Sequence, residues 1–239
     1  MSRTVKLIIG LIAAVAVVGI IAVVVIFITG GSGEASEPIS APSVEAAEGG
    51  VVFSIIPAES EVRFELDEDL RGERITVVGR TDQVAGQLVV NFDAPRESTI
   101  GAIRINARTL TTDNEFRNRA IRSQILLSAQ NEYEFAEFVP TSIDGLPETV
   151  SIGEPITFTV TGDLTLRGIT APVTFDVTVT PVSRDRLEGT AAAVVQRDDF
   201  DLQIPSVPGV ANVEEEVELY IDFVAAAIAD EDEDEAVEA

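Results

Sequence analysis

The chain of 239 residues contains no cysteine and no histidine. Without cysteine it can form no disulfide, no thiolate metal site and no cysteine nucleophile. Without histidine it lacks the usual base of a Ser-His-Asp triad, the most common zinc ligand and the usual proton shuttle at neutral pH. Its only lysine, Lys6, lies outside the predicted domain. These absences argue against an enzyme, and we predict no catalytic residue, no cofactor and no metal site.

Positive charge is also scarce, since 16 Lys and Arg stand against 41 Asp and Glu and the net charge is -25. Such an acidic surface repels phosphate backbones, so we expect no nucleic-acid partner. It also repels anionic lipid surfaces, so a membrane contact requires a dedicated apolar element. These repulsions do not explain the acidity itself, for which a saline habitat and solubility are the two alternative reasons.

The N-terminal segment supplies an apolar element. An uncharged apolar run extends from Leu7 to Ile28, after Arg3 and Lys6. A helix needs roughly 20 apolar residues to cross a bilayer core, whereas the core of a signal peptide has about 7–15. We therefore interpret residues 1–29 as a short cytoplasmic stub and an uncleaved transmembrane signal anchor, with late cleavage as the alternative. The positive residues before the helix place the N-terminus in the cytoplasm and the rest of the chain on the extracytoplasmic side.

Three further segments follow the predicted anchor. Residues 30–50 are small, polar and Pro/Gly-containing, which is typical of a flexible linker. Residues 51–228 form the predicted folded domain. Residues 229–239 contain the run "DEDEDE", and like charges at this density predict a disordered acidic tail.

Alternation of apolar and polar residues dominates the folded domain. In "EVRFELD", Val62, Phe64 and Leu66 share one face. The stretch "TGDLTLRGITAPVTFDVTVT", residues 161–180, alternates on both sides of a short turn. This periodicity is typical of strands with one buried face, and it predicts about eight of them.

Only "TDNEFRNRAIRSQILLS" has helical spacing, with Thr112 or Asp113 as the expected N-cap. One helix of about three turns cannot cover the apolar face of an eight-stranded sheet. The sheet must therefore cover itself, either as a closed barrel or as two sheets packed face to face. A barrel of about eight strands either fills its interior with side chains or holds one small ligand, and strand count alone leaves both possibilities open.

The segment "GDLTLRGITAPVTFDV", residues 162–177, resembles the G-x-L-T-[IL]-x-G-[VI]-T-x-P-V signature of the YceI-like family. Three further segments resemble the family in matching order, including "RDDFDL", in which Asp201 stands where glycine is usual. The resemblance covers nearly all of residues 51–226. It implies an extracytoplasmic, lipocalin-like antiparallel barrel that holds a long isoprenoid or a similar amphiphile and performs no catalysis. The expected fold is therefore all-β, an antiparallel lipocalin-like barrel of about eight strands with one short helix, preceded by a transmembrane helix.

The residues expected to face the interior are the candidates for ligand contact. They either pack against one another as an ordinary core or line an apolar lumen. No Trp is present, and residues 191–195 offer only Ala and Val, so a wide barrel would be under-filled. The predicted set is Phe64, Phe92, Ile105, Phe135, Phe158, Phe175, Ile221 and Phe223.

Two polar groups are weaker candidates. Asn114 and Arg117 lie at the start of the predicted helix, where a lipid phosphate could bind, although the arginine could equally pair with nearby acids. Asp198, Asp199 and Asp201 suggest a carboxylate pair for glycoside hydrolysis, a Ca2+ site or a solvated strand edge. Asp199 and Asp201 would share one face of a strand, as a carboxylate pair requires, whereas the DxDxDG loop of a Ca2+ site is missing.

We therefore expect a membrane-anchored, extracytoplasmic protein that holds or carries a long-chain isoprenoid or similar amphiphile inside a β-barrel. The leading alternative is a surface β-sandwich for protein interaction with a fully packed core, and a carboxylate-dependent hydrolase is a third possibility. The expected partners are the lipid and, through the N-terminal helix, the membrane. The sequence leaves a homodimer open.

Overall fold

A computed structural model describes Val24, residues 31–46 and residues 48–228 of the chain. The predicted anchor, apart from Val24, and the predicted acidic tail lie outside the described residues. Within the described part, no helix combines the length and hydropathy that a membrane crossing requires.

The domain is built from thirteen strands of one antiparallel sheet and one short α-helix. The helix, α1 (Glu115–Ala120), continues into a π-helical turn, Ile121–Ile125. The strands are β1 (Val51–Ile55), β2 (Glu61–Leu70), β3 (Glu73–Thr81), β4 (Val84–Ala85), β5 (Gln87–Val90), β6 (Thr99–Ile100), β7 (Ile103–Asn106), β8 (Phe135–Asp144), β9 (Ile156–Leu166), β10 (Ile169–Pro181), β11 (Arg186–Gln196), β12 (Val210–Ala211) and β13 (Glu216–Ala227).

The sheet runs in the order β4-β7-β8-β9-β10-β11-β13-β1-β5-β6. Strand β13 pairs along its other edge with both β1 and β2, and β2 pairs in turn with β3 and β12. The result is a curled sheet, a half-barrel, whose concave face holds the core. The curl brings β3 back towards the β7 side, where Arg80 and Thr111 exchange two backbone hydrogen bonds of 2.9 and 3.0 Å.

The alternation in the sequence sets which side chains face inward. Along β10, Val173, Phe175 and Val177 are buried, whereas Thr174 and Asp176 between them are exposed. Successive strand side chains point to opposite faces, so burying one face selects this pattern. The predicted all-β antiparallel class with one short helix is confirmed.

The two ends of the curled sheet differ in what covers them. At one end the β9–β10 turn meets the π-helical turn, where Arg167 Nη1 donates to the backbone oxygen of Ile125 at 3.2 Å. We call this the helix end. At the other end the β8–β9 loop reaches the β10–β11 turn, and the Gly153 amide donates to the Pro181 oxygen at 2.7 Å. We call this the cavity end, because an apolar cavity lies there.

Three details differ from the sequence prediction. The sheet has thirteen strands rather than about eight, because four further short segments, β1, β4, β6 and β12, also pair and because β3 was not identified. All of them belong to one sheet, so the two-sheet sandwich does not occur in the described part. The helix has six residues, and its N-cap is Asn114 instead of Thr112 or Asp113, since the Asn114 side chain accepts from the amides of Phe116 and Arg117.

Candidate functional site

The concave face of the sheet is a continuous apolar surface. Most of the predicted interior residues belong to it. Ile105 and Phe175 are buried, at 8% and 5% exposure. The others that join this core are half-buried: Phe64, Phe92, Phe158, Ile221 and Phe223.

Phe135 was wrongly placed on the inner face. Its neighbour Ala136 pairs with the buried Ile105 across β7 and β8, so Phe135 points to the outer face. There its ring lies under the Arg104 guanidinium, 4.1 Å from the ring centroid. Phe138 takes the inner position instead. It is 6% exposed and packs edge to face on Phe175, with ring centroids 5.0 Å apart.

Three phenylalanine rings lie over glycines of neighbouring strands. A methyl group built on Gly79 would lie 2.1 Å from Cε1 of Phe64. A methyl group built on Gly189 would lie 2.6 Å from Cζ of Phe223, and one built on Gly162 would lie 2.7 Å from Cζ of Phe138. Each ring therefore occupies the volume that a side chain on the facing strand would need. The rings therefore fill part of the interior that the sequence suggested would be under-filled.

A cavity of about 60 Å³ remains at the cavity end. Phe92 and Phe158 line it together with Leu88, Ile100 and Val179. The Phe92 ring packs against Phe53 with centroids 6.3 Å apart, and the Arg184 guanidinium lies 5.4 Å from the same ring. The cavity is lined almost wholly by apolar side chains, but it is far smaller than the roughly 300–1,000 Å³ of typical small-molecule pockets.

The two residues predicted to bind a polar head group lie near the helix end, away from the cavity. The Asn114 side chain is used in capping α1. Arg117 donates to Glu68 at 3.0 Å and to Asp113 at 2.6 Å. Glu68 is buried, so Arg117 neutralises an acid of the protein itself, and a lipid phosphate at this position would compete with two carboxylates.

Asp199 and Asp201 do not share the face of a strand, contrary to the sequence interpretation. Asp199 lies in a 3-10 turn, Arg197–Phe200, and Asp201 follows it in the left-handed conformation with φ of 49°. Both are exposed. Arg197 is instead buried and donates to the backbone oxygens of Glu214 and Leu202 at 2.7 and 2.9 Å. The segment thus provides a structured turn with solvated acids.

Sequence reasoning missed a buried carboxylate, Glu134, which is 0% exposed. It accepts hydrogen bonds from the amide and hydroxyl of Ser36, at 2.8 and 2.5 Å, and from Asn106 Nδ2 at 2.8 Å. Arg108 pairs with it at 3.0 Å. Burial alone would raise the pKa of the Glu134 carboxyl, but the Ser36 and Asn106 hydrogen bonds and the Arg108 charge outweigh burial and lower the pKa. No local sequence pattern predicts this cluster, because Ser36 lies 98 positions from Glu134 in the chain.

Comparison with known proteins identifies the family. The sequence model of the YceI-like domain matches residues 53–225. A UPF0312 protein of Pseudomonas fluorescens is 32% identical over 142 residues, 56% of this chain and 67% of that protein. A polyisoprenoid binding domain from Saccharophagus degradans superposes with a TM-score of 0.58 at 15% identity, covering 74% of this chain and 99% of that one. BcnA of Burkholderia cenocepacia gives 0.57 at 19% identity, with 72% and 99% coverage. The chain belongs to the YceI-like family.

Proposed function

We propose that this chain is a membrane-anchored, extracytoplasmic protein that binds a long-chain isoprenoid or a similar amphiphile against the concave face of its sheet. The observation that carries the proposal is the continuous apolar inner face, on which half-buried phenylalanines border an apolar cavity. Membership of the YceI-like family supports it. A protein of the same fold is described as a polyisoprenoid binding domain.

Binding on this surface needs no catalytic group. Transfer of apolar surface out of water contributes roughly 25 cal/mol per Å², so a long hydrocarbon chain gains affinity in proportion to its buried length. The cavity of about 60 Å³ cannot hold such a chain as it stands. Entry of the ligand therefore requires inner side chains to move. Phe158 and Phe92 border the cavity and are only half-buried, so they are the side chains expected to move first.

The anchor and the extracytoplasmic location rest on the sequence of residues 1–29. Tethering a lipid-binding domain raises its effective concentration near the bilayer that supplies the ligand. A tether also removes the need for a cationic surface, which this chain of net charge -25 does not have.

The test is extraction of lipid from the purified full chain, with the extract analysed by mass spectrometry. Phe158→Leu enlarges the cavity and is expected to raise the amount of apolar lipid bound per protein. Phe135→Leu is the matched control, because it makes the same substitution on the outer face and is expected to leave that amount unchanged. Absence of apolar lipid from the wild-type protein, or equal amounts in all three proteins, would contradict the proposal.

A second candidate is a protein-interaction domain with a packed core. The three phenylalanine–glycine contacts and the small cavity favour it, because they fill much of the interior. This candidate predicts that no lipid is extracted and that Phe158→Leu only lowers stability, by roughly 1–2 kcal/mol.

A further inference from the structure

The segment between the apolar N-terminal run and β1 is docked on the domain. Residues 31–46, which we call the strap, were predicted to belong to a free linker. Near its start, Gly33 adopts φ of +79°, and a methyl group there would lie 2.8 Å from Arg122 Nη1. The strap therefore begins against the π-helical turn, at the helix end of the domain.

From there the strap follows the domain towards the cavity end. Ser36 donates twice to the buried carboxylate of Glu134, just before β8. The Ser40 oxygen accepts from Arg104 on β7 at 3.2 Å, and the Val44 amide donates to the Gln87 side chain on β5 at 2.9 Å. From Ser36 to Val44, each successive contact of the strap lies farther from the helix end. The two ends of the strap therefore lie near opposite ends of the domain.

This path determines which end of the domain lies near residue 30. Ile28, the last residue of the apolar run, is three residues before Gly31, and three extended residues span at most about 11 Å. A free linker of 21 residues would instead have an r.m.s. length of roughly 25 Å and would fix no orientation. If the apolar run spans a bilayer, the docked strap holds the helix end within about one nanometre of its surface.

The C-terminal acidic run starts from the opposite end of the domain. The Ile228 amide, the last described one, donates to the Val52 oxygen at 2.8 Å, which places the end of β13 beside β1 at the cavity end. The acidic run "DEDEDE" follows within two residues. An anionic leaflet repels acidic segments, and this repulsion is least at the cavity end, where the described chain ends at Ile228.

We propose that the strap orients the domain on the membrane, with the helix end facing the lipid surface and the cavity end facing away. The proposal rests on the membrane anchoring stated in the proposed function. It names a lipid surface as the partner of the helix end.

The absence of cysteine allows a direct test in the full chain. Glu132→Cys places a donor dye on an exposed site at the helix end, and Glu154→Cys places it on an exposed site in the β8–β9 loop. The protein is reconstituted into phosphatidylcholine vesicles that contain acceptor-labelled lipid. Strand β10 has thirteen residues, so the two labels differ in height by roughly 30 Å for a strand rise of about 3.3 Å and the usual tilt. We expect severalfold stronger energy transfer from position 132 than from position 154.

The strap itself is tested with Ser36→Ala in the same vesicles. Loss of the hydroxyl bond to Glu134 should speed amide exchange in the strap by roughly tenfold and reduce the difference between the two labels. Ser40→Ala is the matched control, because Ser40 contributes only its backbone oxygen. Equal or reversed energy transfer in a vesicle-bound protein would overturn the orientation and leave the anchoring intact. A wild-type protein that does not stay with the vesicles would overturn the anchoring and the orientation together.

Discussion

The Arg117 guanidinium lies 3.0 Å from the carboxylate of Glu68, an acid on β2 that is only 6% exposed. Glu68 follows Phe64 and Leu66 at alternate positions, so it belongs to the inner face of the strand. The ion pair therefore fastens α1 to the concave side of the sheet and supplies the charge that a buried carboxylate requires.

Removing the arginine is expected to destabilise the domain. Arg117→Ala leaves Glu68 buried without its cation, which should lower the free energy of unfolding by about 3 kcal/mol. Arg117→Ala combined with Glu68→Gln should recover most of this loss. Denaturant unfolding of the purified full chain measures both. A double variant no more stable than the single one would show that the ion pair does not account for the loss of stability. As a control on the same helix, Arg119→Ala should lower the free energy of unfolding by less than about 1 kcal/mol.

The contact between Phe64 and Gly79 predicts a strong dependence on side-chain volume. Gly79→Ala puts a methyl group into the space of the Phe64 ring and should cost about 1–3 kcal/mol. Phe64→Leu in the same chain should relieve the clash. A double-mutant cycle of unfolding free energies is expected to show coupling between the two positions. Strictly additive effects would mean that the Phe64 ring can adopt another rotamer without a loss of stability.

Stability should depend on pH through Glu134. Its pKa is lowered below the ordinary value of 4.5 in the folded protein. Its contribution to stability is therefore complete above that value and is lost as the pH falls through the folded pKa. Ser36→Ala should weaken the neutral-pH stability, and the difference from wild type should narrow as the carboxyl is protonated. Unfolding measured between about pH 3 and 7 tests this. A difference that stays constant over the whole range would assign the effect to another group, and Ser40→Ala should follow the wild type.

Asp201 predicts a stabilising substitution. It holds φ of 49°, a conformation that costs most residues energy and glycine almost none. Asp201→Gly should raise the free energy of unfolding by about 0.5–1 kcal/mol. Asp199→Gly, in the preceding 3-10 turn, should lower it. A loss of stability at position 201 would indicate that the hydrogen bond its carboxylate accepts from Gln203 outweighs the backbone strain.

Much of the sheet could be predicted because its strands obey one simple alternation. In β10 and β13 every second residue is apolar and faces the core, so the inner positions of Phe175, Ile221 and Phe223 follow directly from the sequence. Strand β3 was missed because its inner face includes Gly79 and Thr81 as well as Val77, which weakens the apolar signal. Gly79 and Thr81 are explained only by the residues that face them on β2.

The wrong assignments at the candidate site also arose because residues elsewhere in the fold decide them. Phe135 was assigned to the interior because it alternates with Tyr133, with Phe138 attributed to a bulge, but Ala136 and Phe138 set the register of β8 and leave Phe135 under Arg104. Arg117 was considered as an anion site because its main partner, Glu68, is 49 residues away in the chain. A single sequence shows residue types and spacing, whereas these assignments depend on distant partners.

The phenylalanine–glycine contacts have a consequence for how this inner face evolves. Where one strand carries a ring and its neighbour carries no side chain, neither position is free to change by itself. Among homologous proteins, bulk lost from the ring position should be accompanied by bulk gained at the glycine position. We therefore expect correlated substitutions at the three phenylalanine–glycine pairs, because the two residues of each pair share one volume between neighbouring strands.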